Sequence, residues 1–125
     1  MAELRVEVVA VEREVWSGEA TEVIARTTEG ELGILPGHTS LLGELAPGAT
    51  VRILQAGGGE VLAAVHGGFL SVTDEGVTIF AEVAELGVDI DAGRARTALE
   101  RARSEGDADA ERRAQSRLAA AGQPA

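Results

Sequence analysis

The 125-residue chain has no cysteine, lysine or tyrosine, and its aromatic residues are limited to Trp16, Phe69 and Phe80. Without cysteine it has no disulfide, no thiolate metal ligand and no thiol nucleophile. Without lysine it cannot form a Schiff base or build a lysine-containing phosphate loop, and without tyrosine it has no phenolic acid or base. So few aromatic rings also exclude stacking on bases or sugars as a main mode of binding.

Long apolar runs are missing as well. No stretch approaches the roughly 18 consecutive apolar residues of a membrane helix, and the first residues lack the charged and apolar regions of a signal peptide. We therefore expect a cytoplasmic protein.

Positive charge is scarce, because 11 arginines face 21 acidic residues and the net charge is −10. Nucleic-acid phosphates and anionic lipid headgroups repel a chain this acidic, so we expect neither nucleic-acid binding nor direct lipid binding. With 45% apolar and 26% charged residues, the composition is typical of one soluble globular domain, or of a small domain with an appendage.

The apolar pattern from Leu4 to about Val83 has a period of two and is interrupted by glycine and proline, which is typical of short strands joined by tight turns. The candidate strands are residues 4–8, 23–26, 51–55, 61–65, 69–73 and 77–80. Turn pairs such as Pro36-Gly37 and Pro47-Gly48 separate them. This pattern predicts an antiparallel β-sandwich or barrel over residues 1–86.

From Gly87 onward the sequence is rich in alanine, arginine and glutamate and has a helical period. It predicts a two-helix antiparallel hairpin in residues 87–125, with helices at 92–105 and 107–121 and a break at Gly106. The expected buried stripes are Ala95, Ala98, Leu99 and Ala102 in the first helix, and Ala110, Ala114, Leu118 and Ala121 in the second.

These stripes are mostly alanine, which contributes far less than the roughly 1.5 to 3 kcal/mol of a buried leucine. We therefore expect a weakly docked hairpin that can change position. The alternative is an ordinary terminal hairpin that covers part of the sandwich.

Charge also divides the chain. Residues 1–86 carry 14 acidic side chains against 4 arginines, whereas residues 87–125 carry 7 of each. Seven arginines on two short helices suit an acidic partner or ligand. The alternative is pairing within a helix, such as Arg96 with Glu100, at about 0.2 to 0.5 kcal/mol per pair.

The two histidines, His38 and His66, lie in glycine-rich contexts without zinc-site spacing or a nucleophile elbow. The sequence predicts that His66 is a strand-end residue beside a close backbone contact. Residues 29–42 break at Pro36-Gly37 and expose a polar tip with Glu31 and His38 as its titratable groups. This tip is either a contact surface or a solvated loop without a partner.

Four segments resemble the epsilon subunit of bacterial F-type ATP synthases. They are Ser17-Gly18-Glu19, residues 29–42 (Glu-Gly-Glu-Leu-Gly-Ile-Leu-Pro-Gly-His-Thr-Ser-Leu-Leu), residues 67–72 (Gly-Gly-Phe-Leu-Ser-Val) and residues 90–95 (Ile-Asp-Ala-Gly-Arg-Ala). They stand in the family's order over nearly the whole chain. The resemblance implies an N-terminal β-sandwich followed by a helical hairpin, which agrees with the change of period.

The resemblance implies a non-catalytic subunit of a rotary, proton-translocating machine at the cytoplasmic face of the bacterial membrane. In this family the sandwich binds the gamma subunit and sits on the c-ring, and by position Glu31 and His38 match the loop that faces the ring. The hairpin can extend into the head of alpha and beta subunits and block ATP hydrolysis. The short second helix, at about 1.5 Å per residue, reaches less far than in longer relatives.

Some family members bind ATP in the folded hairpin, and no cofactor is required. The residues that match their motif and its surroundings are Glu85, Ile90, Asp91, Arg94, Ala95, Arg101, Arg113 and Arg117. Several guanidinium groups that converge on a triphosphate form a sound anion site. The same motif also begins a helix, so its presence is compatible with a purely structural role.

Two hypotheses from other classes remain at this point. One is a free-standing β-sandwich that binds a small ligand or peptide, with the hairpin as a lid. The other is a hydrolase that uses His38 or His66.

Overall fold

The computed structural model describes residues 3–122 as seven strands and two α-helices. The strands are β1 (Leu4–Ala10), β2 (Arg13–Thr27), β3 (Gly30–Ile34), β4 (Leu41–Glu44), β5 (Thr50–Gln55), β6 (Glu60–Thr73) and β7 (Gly76–Leu86). A short 3-10 turn at Gly87–Asp89 leads into α1 (Ala92–Glu105) and α2 (Ala108–Ala120). The predicted order of a β module followed by a helical hairpin is confirmed.

The strands pair in the order β1-β7-β6-β5-β2-β3, with β4 on β6, and an added pairing of β1 with β2 closes the arrangement. The pairing of β1 with β7 is parallel, which corrects the expectation of a purely antiparallel sandwich. The other strand pairings described are antiparallel.

Strands β2 and β6 are much longer than the sequence pattern predicts. The segments 61–65 and 69–73 belong to one strand, β6, and β2 begins ten residues before the predicted start at Val23. The first half of β2 pairs with β1, whereas its second half pairs with β3 and β5. A strand of this kind contributes to both layers of the sandwich. The side chains that face the core therefore do not follow one continuous apolar-polar alternation, and the sequence pattern does not show the full length of the strand.

The core of the sandwich is built almost entirely from aliphatic side chains. Its fully buried members include Val6, Val23, Ile34, Ile53 and Ile79. Trp16 packs against this cluster from its edge, while Phe69 and Phe80 are exposed. The scarcity of aromatic residues therefore does not weaken the core, because most of the chain's aromatic rings point away from it.

Both helices begin at aspartate caps. The Asp91 carboxylate accepts a hydrogen bond from the Arg94 amide at 3.0 Å, and the Asp107 carboxylate accepts one from the Ala110 amide at 3.1 Å. Gly106 ends α1 in the left-handed conformation, at φ 68°. The predicted helix bounds are confirmed within one residue at each end.

The hairpin has its own small core of Ala95, Leu99, Ala114 and Leu118, separate from that of the sandwich. Ala98, predicted as buried, is instead exposed on α1. Ala110 and Ala121 are only half-buried.

Helix α2 is buried on two of its sides. Ala114 and Leu118 face α1, while Ser116 and Ala120 are buried outside that cluster. Helix α2 packs mainly on β5 and β6. The hairpin therefore reaches the sandwich mainly through its second helix.

Candidate functional site

A cleft of about 380 Å³ lies where the linker after β7 meets both helices of the hairpin. It is lined by Glu85, Asp89, Ile90, Asp91, Arg94, Ala95, Ala98 and Arg117. Six of the eight residues predicted from the nucleotide motif thus converge on one cleft. The other two, Arg101 and Arg113, are exposed on their helices and are not part of its lining.

The motif residues of this cleft also have structural tasks. Asp91 caps α1, and its backbone carbonyl accepts the first helical hydrogen bond from the Ala95 amide at 3.0 Å. Ile90 packs against the core of the hairpin. Arg94 is exposed at the first turn of α1, so its guanidinium is free to reach an anion in the cleft.

An ion pair crosses the cleft from the sandwich to the hairpin. The Nε of Arg117 on α2 donates to Oε1 of Glu85 on β7 at 2.6 Å, and these side chains are 30% and 35% exposed. Arg117 is therefore neutralised by Glu85 rather than free. Among the ion pairs of the described hairpin, none joins Arg96 to Glu100, the example named for the alternative of pairing within a helix. Arg112 pairs with Asp109 within α2, and Arg103 of α1 pairs with Glu111 of α2.

Helix α2 is held on the sandwich by one serine and two glycines. The Ser116 hydroxyl donates to the Ala49 carbonyl at 2.8 Å, and the Thr50 hydroxyl donates to the Ser116 carbonyl at 3.3 Å. Gly48 packs against Arg112, and a Cβ placed on Gly87 would lie 1.9 Å from the Ala120 carbonyl oxygen. Docking thus depends on close backbone approach and hydroxyl hydrogen bonds rather than on large apolar side chains.

His66 lies within β6 and not at a strand end, which corrects the sequence prediction. Its side chain is buried, with the residue 8% exposed, and neither ring nitrogen has a hydrogen-bond partner. Burial first, and then the charges of Arg117 and Arg113, lower the pKa of His66 to about 4, while Glu85 opposes the shift. No signal in the sequence distinguishes this histidine, because its burial comes from distant elements.

Glu31 and His38 lie in different clefts. Glu31 is exposed on β3 and lines an open groove of about 740 Å³ between the sheet and α2. His38 follows the turn at Pro36 and borders a cleft beside Gly76 at the start of β7, and its Nδ1–H donates to the Thr39 carbonyl at 2.7 Å. The structure therefore does not bring these two residues together.

The outer face of the sandwich carries an exposed apolar patch, here called the aromatic face, formed by Leu42, Phe69 and Phe80. Phe69 on β6 and Phe80 on β7 are cross-strand partners and are 51% and 48% exposed. Leu42 on β4 is 73% exposed and pairs with Ser71, two residues from Phe69 on the same side of the sheet. A patch of this kind marks an interaction surface.

The 740 Å³ groove has no aromatic residue in its lining. Between residues 3 and 122, no three histidine or acidic side chains are grouped to hold a metal ion. Within the same range, neither helix is long and apolar enough to cross a membrane.

The family model of the ATP synthase delta/epsilon chain β-sandwich domain matches residues 3–87. The ATP synthase epsilon chain of Streptomyces coelicolor is 58% identical over 120 residues, which cover 96% of each chain. The chain belongs to the ATP synthase epsilon chain family. The epsilon chain of Thermobifida fusca is a further relative, 58% identical over 113 residues that cover 89% of this chain and 82% of the relative.

Solved structures agree with the epsilon family. A chain in the mitochondrial ATP synthase of Euglena gracilis, solved as an assembly of OSCP, F1 and c-ring, has a TM-score of 0.74 and 26% identity over 94% of this chain and 76% of that one. A chain in the central stalk and c-ring of the Tetrahymena thermophila enzyme shares the fold at a TM-score of 0.53 and 21% identity, over 74% of this chain and 69% of that one. As an epsilon chain, the protein is an accessory and not a catalytic subunit.

Proposed function

We propose that the chain is a central-stalk subunit of a rotary, proton-translocating ATP synthase, where its sandwich couples c-ring rotation to the catalytic head. The proposed position is peripheral, at the cytoplasmic face of a bacterial membrane. The observation that carries this proposal beyond the family is the aromatic face on the sandwich.

The aromatic face supports docking on the gamma subunit. Two of the chain's three aromatic side chains lie side by side on an outer sheet surface, where they contribute nothing to the core. Exposed aromatic residues of this kind are typical anchors of protein interfaces. The row continues with Glu44 opposite Phe69, which gives the patch a charged edge, and with Val9 beside Phe80, which extends its apolar surface toward β1.

The c-ring contact is proposed at Glu31 and His38, from their place in the motif of residues 29–42. Because the two side chains line different clefts, they would meet the ring at two separate points. Glu31→Ala and His38→Ala should then each weaken binding of the chain to a gamma and c-ring assembly, while leaving its binding to gamma alone unchanged.

Binding to gamma tests the stalk assignment directly. Phe80→Asp should reduce co-purification with a cognate gamma subunit more than tenfold, because it places a charge at the centre of the apolar patch. Val11→Asp is the matched control, since Val11 is also apolar and is 78% exposed against 48% for Phe80, but lies in the turn between β1 and β2. If neither the wild type nor Val11→Asp binds gamma, the stalk assignment fails.

We further propose ATP as a regulatory ligand of the cleft between the linker and the hairpin. Arg94 and Arg117 supply guanidinium groups, and Ile90 and Ala98 supply apolar surface for a base. Arg101 and Arg113 would have to turn toward the cleft to join them. The triphosphate would compete with Glu85 for Arg117.

Nucleotide bound only to the folded hairpin would stabilise that form by mass action. The test is calorimetric titration of ATP into the full chain and into Arg94→Ala. Saturable binding that Arg94→Ala weakens at least tenfold supports the site. Absence of binding at millimolar ATP leaves the motif with its structural role alone.

The released hairpin is proposed to restrain ATP hydrolysis by entering the head formed by alpha and beta subunits. Its attachment through α2, by hydroxyl hydrogen bonds and backbone contacts, supports release without unfolding of the sandwich. The short α2, which ends at Ala120, limits its reach.

A further inference from the structure

His66 is a buried polar side chain without a hydrogen-bond partner in the described structure, at the junction of the sandwich and the hairpin. The residue is 8% exposed, and both Nδ1 and Nε2 are buried and unpaired. Burying such a group without a partner is costly, and burying it as a cation costs considerably more. Protonation of the imidazole therefore destabilises the docked structure more than the neutral imidazole does.

The charged groups that face His66 come from both sides of the junction. Glu85 on β7 and Arg113 and Arg117 on α2 are close enough to affect its protonation. The strands on the other side of β6 place no charge opposite His66. Thr50 of β5, which is uncharged, pairs with Ala64, and the acidic Glu44 of β4 pairs with Phe69. Glu85 favours the protonated imidazole, but its Oε1 accepts from Arg117 and no hydrogen bond joins this carboxylate to either ring nitrogen of His66.

The same helix that brings these arginines is the one that docks the hairpin. Ser116, next to Arg117, makes the hydroxyl contact to Ala49, and α2 contacts the strand β6 that carries His66. When α2 leaves the sheet, Arg113 and Arg117 leave with it and the imidazole regains water. The proton affinity of His66 and the position of α2 are therefore linked.

We propose that His66 makes docking of the hairpin sensitive to protons, so that protonation of its imidazole favours release of α2 from the sandwich. Neutral His66 is compatible with the docked form. A positive charge on the ring would stand unpaired beside two arginines, on nitrogen atoms that are buried from solvent.

The direction and size of the pH effect on docking follow from the pKa of His66 in the docked and released forms. In the docked form burial, with Arg117 and Arg113, lowers the pKa of His66 to about 4, whereas a solvated histidine has a pKa of about 6.5. Docking is therefore unaffected above about pH 6.5 and weakens as the pH falls below it. Between about pH 7.5 and 5.5, the docking equilibrium constant should fall roughly tenfold.

This inference rests on one part of the proposed function, namely that the hairpin can separate from the sandwich. It concerns the isolated chain, so it can fail while the chain still binds gamma, and it can hold if gamma binding is absent.

The test follows amide hydrogen exchange and the histidine ring signals of the full chain by NMR from pH 7.5 to 5. After correction for intrinsic exchange, protection of the Ser116 to Ala120 amides should fall about tenfold between pH 7.5 and 5.5, while amides of β5 keep their protection. The ring signals of His66 should move with those of the α2 amides, at a midpoint below about pH 6.5.

Two variants separate the role of His66 from general acid effects. His66→Leu fills the site with an apolar side chain and should remove the pH dependence of α2 protection, whereas His38→Gln, which replaces the only other histidine, should retain it. Equal pH dependence in His66→Leu would overturn the proposal. So would a wild-type His66 that titrates at the ordinary midpoint of about 6.5 without any change in α2.

Discussion

At the scale of single residues, the contact between sandwich and hairpin depends on small side chains. Gly87 lies where the linker passes the end of α2, and a Cβ there would lie 1.9 Å from the Ala120 carbonyl oxygen. Gly48, at φ 73°, packs against Arg112 near the other end of the helix. Ser116 lies between these two contacts and is 2% exposed. The hairpin can approach this closely only because these positions are small.

Gly87→Ala should therefore push α2 off the sandwich at its C-terminal end. We expect a loss of about 1 to 3 kcal/mol in docking free energy, as for other overpacked contacts. Hydrogen exchange of the α2 amides should become roughly tenfold faster or more, while exchange of the β6 amides is unchanged. Gly57→Ala is the control, because a Cβ at Gly57 meets nothing within 4 Å. Equal exchange in the two variants would contradict this account.

Ser116→Ala removes the hydroxyl that donates to the Ala49 carbonyl. The carbonyl keeps a second donor, the Val65 amide at 3.1 Å, so no buried group is left unpaired. We expect a modest loss of about 0.5 to 1.5 kcal/mol in the free energy of unfolding, measured by denaturant titration. The exposed Ser104→Ala should change stability by less than about 0.5 kcal/mol. A loss in Ser104→Ala as large as in Ser116→Ala would show that the hydroxyl contact has no special weight.

The sequence predicts residues whose role is local and misses those whose role is set by tertiary contact. Asp91 and Gly106 mark the ends of α1 by their own chemistry, and the structure agrees. The sequence misplaces His66 and does not distinguish Ser116, because their burial depends on how α2 meets the sheet. It also predicts Ala98 as buried, because the helical period does not show how α1 is turned toward α2. The predicted role of Arg94 in nucleotide binding stays a prediction.

At the scale of elements, the hairpin is attached through one of its two helices. Helix α1 packs on α2, and α2 alone makes the hydroxyl contacts to the loop and strand around Ala49 and Thr50. An arm held in this way can leave with α1 still in contact with α2 through Leu99 and Leu118, but α2 then loses the contacts of Ser116 and Ala120, so its amides open and exchange faster.

A disulfide between α2 and β5 should hold the arm in its docked position. Thr50 Oγ1 and Ser116 Oγ are 3.4 Å apart, so cysteine sulfur atoms at these positions would need a small local shift to reach the S–S bond length of about 2 Å. Because the chain has no cysteine, Thr50→Cys/Ser116→Cys would form a single defined bridge. In the assembled synthase, the oxidised double variant should hydrolyse ATP faster than the same enzyme after reduction. Equal rates in the two redox states would argue against a restraining arm.

Helices were easier to predict than strands for a physical reason. Each helix has its period, its cap and its break within a dozen or so residues, and both were found within one residue of their bounds. Strands β3 and β4 were not predicted, because strand formation depends on partners such as β2 and β6 that are distant in sequence. The parallel pairing of β1 with β7 has no local signature either.

At the scale of the whole molecule, two separate hydrophobic clusters correspond to the β module and the hairpin. The predicted boundary after Leu86 falls at the linker between them, and as a division into domains it stays a prediction. A chain truncated after Leu86 should keep the sandwich folded, since none of the sandwich core residues lies in the hairpin. Circular dichroism and core amide protection would check this. Loss of cooperative unfolding in the truncated chain would show that the two parts form one unit.

The central claim is that the sandwich docks on the stalk through the aromatic face. The most direct measurement is the affinity of the full chain for its cognate gamma subunit, compared for the wild type, Phe80→Asp and Val11→Asp. The account predicts tight binding by the wild type and Val11→Asp, and binding more than tenfold weaker by Phe80→Asp. Equal affinity of all three proteins for gamma would contradict it.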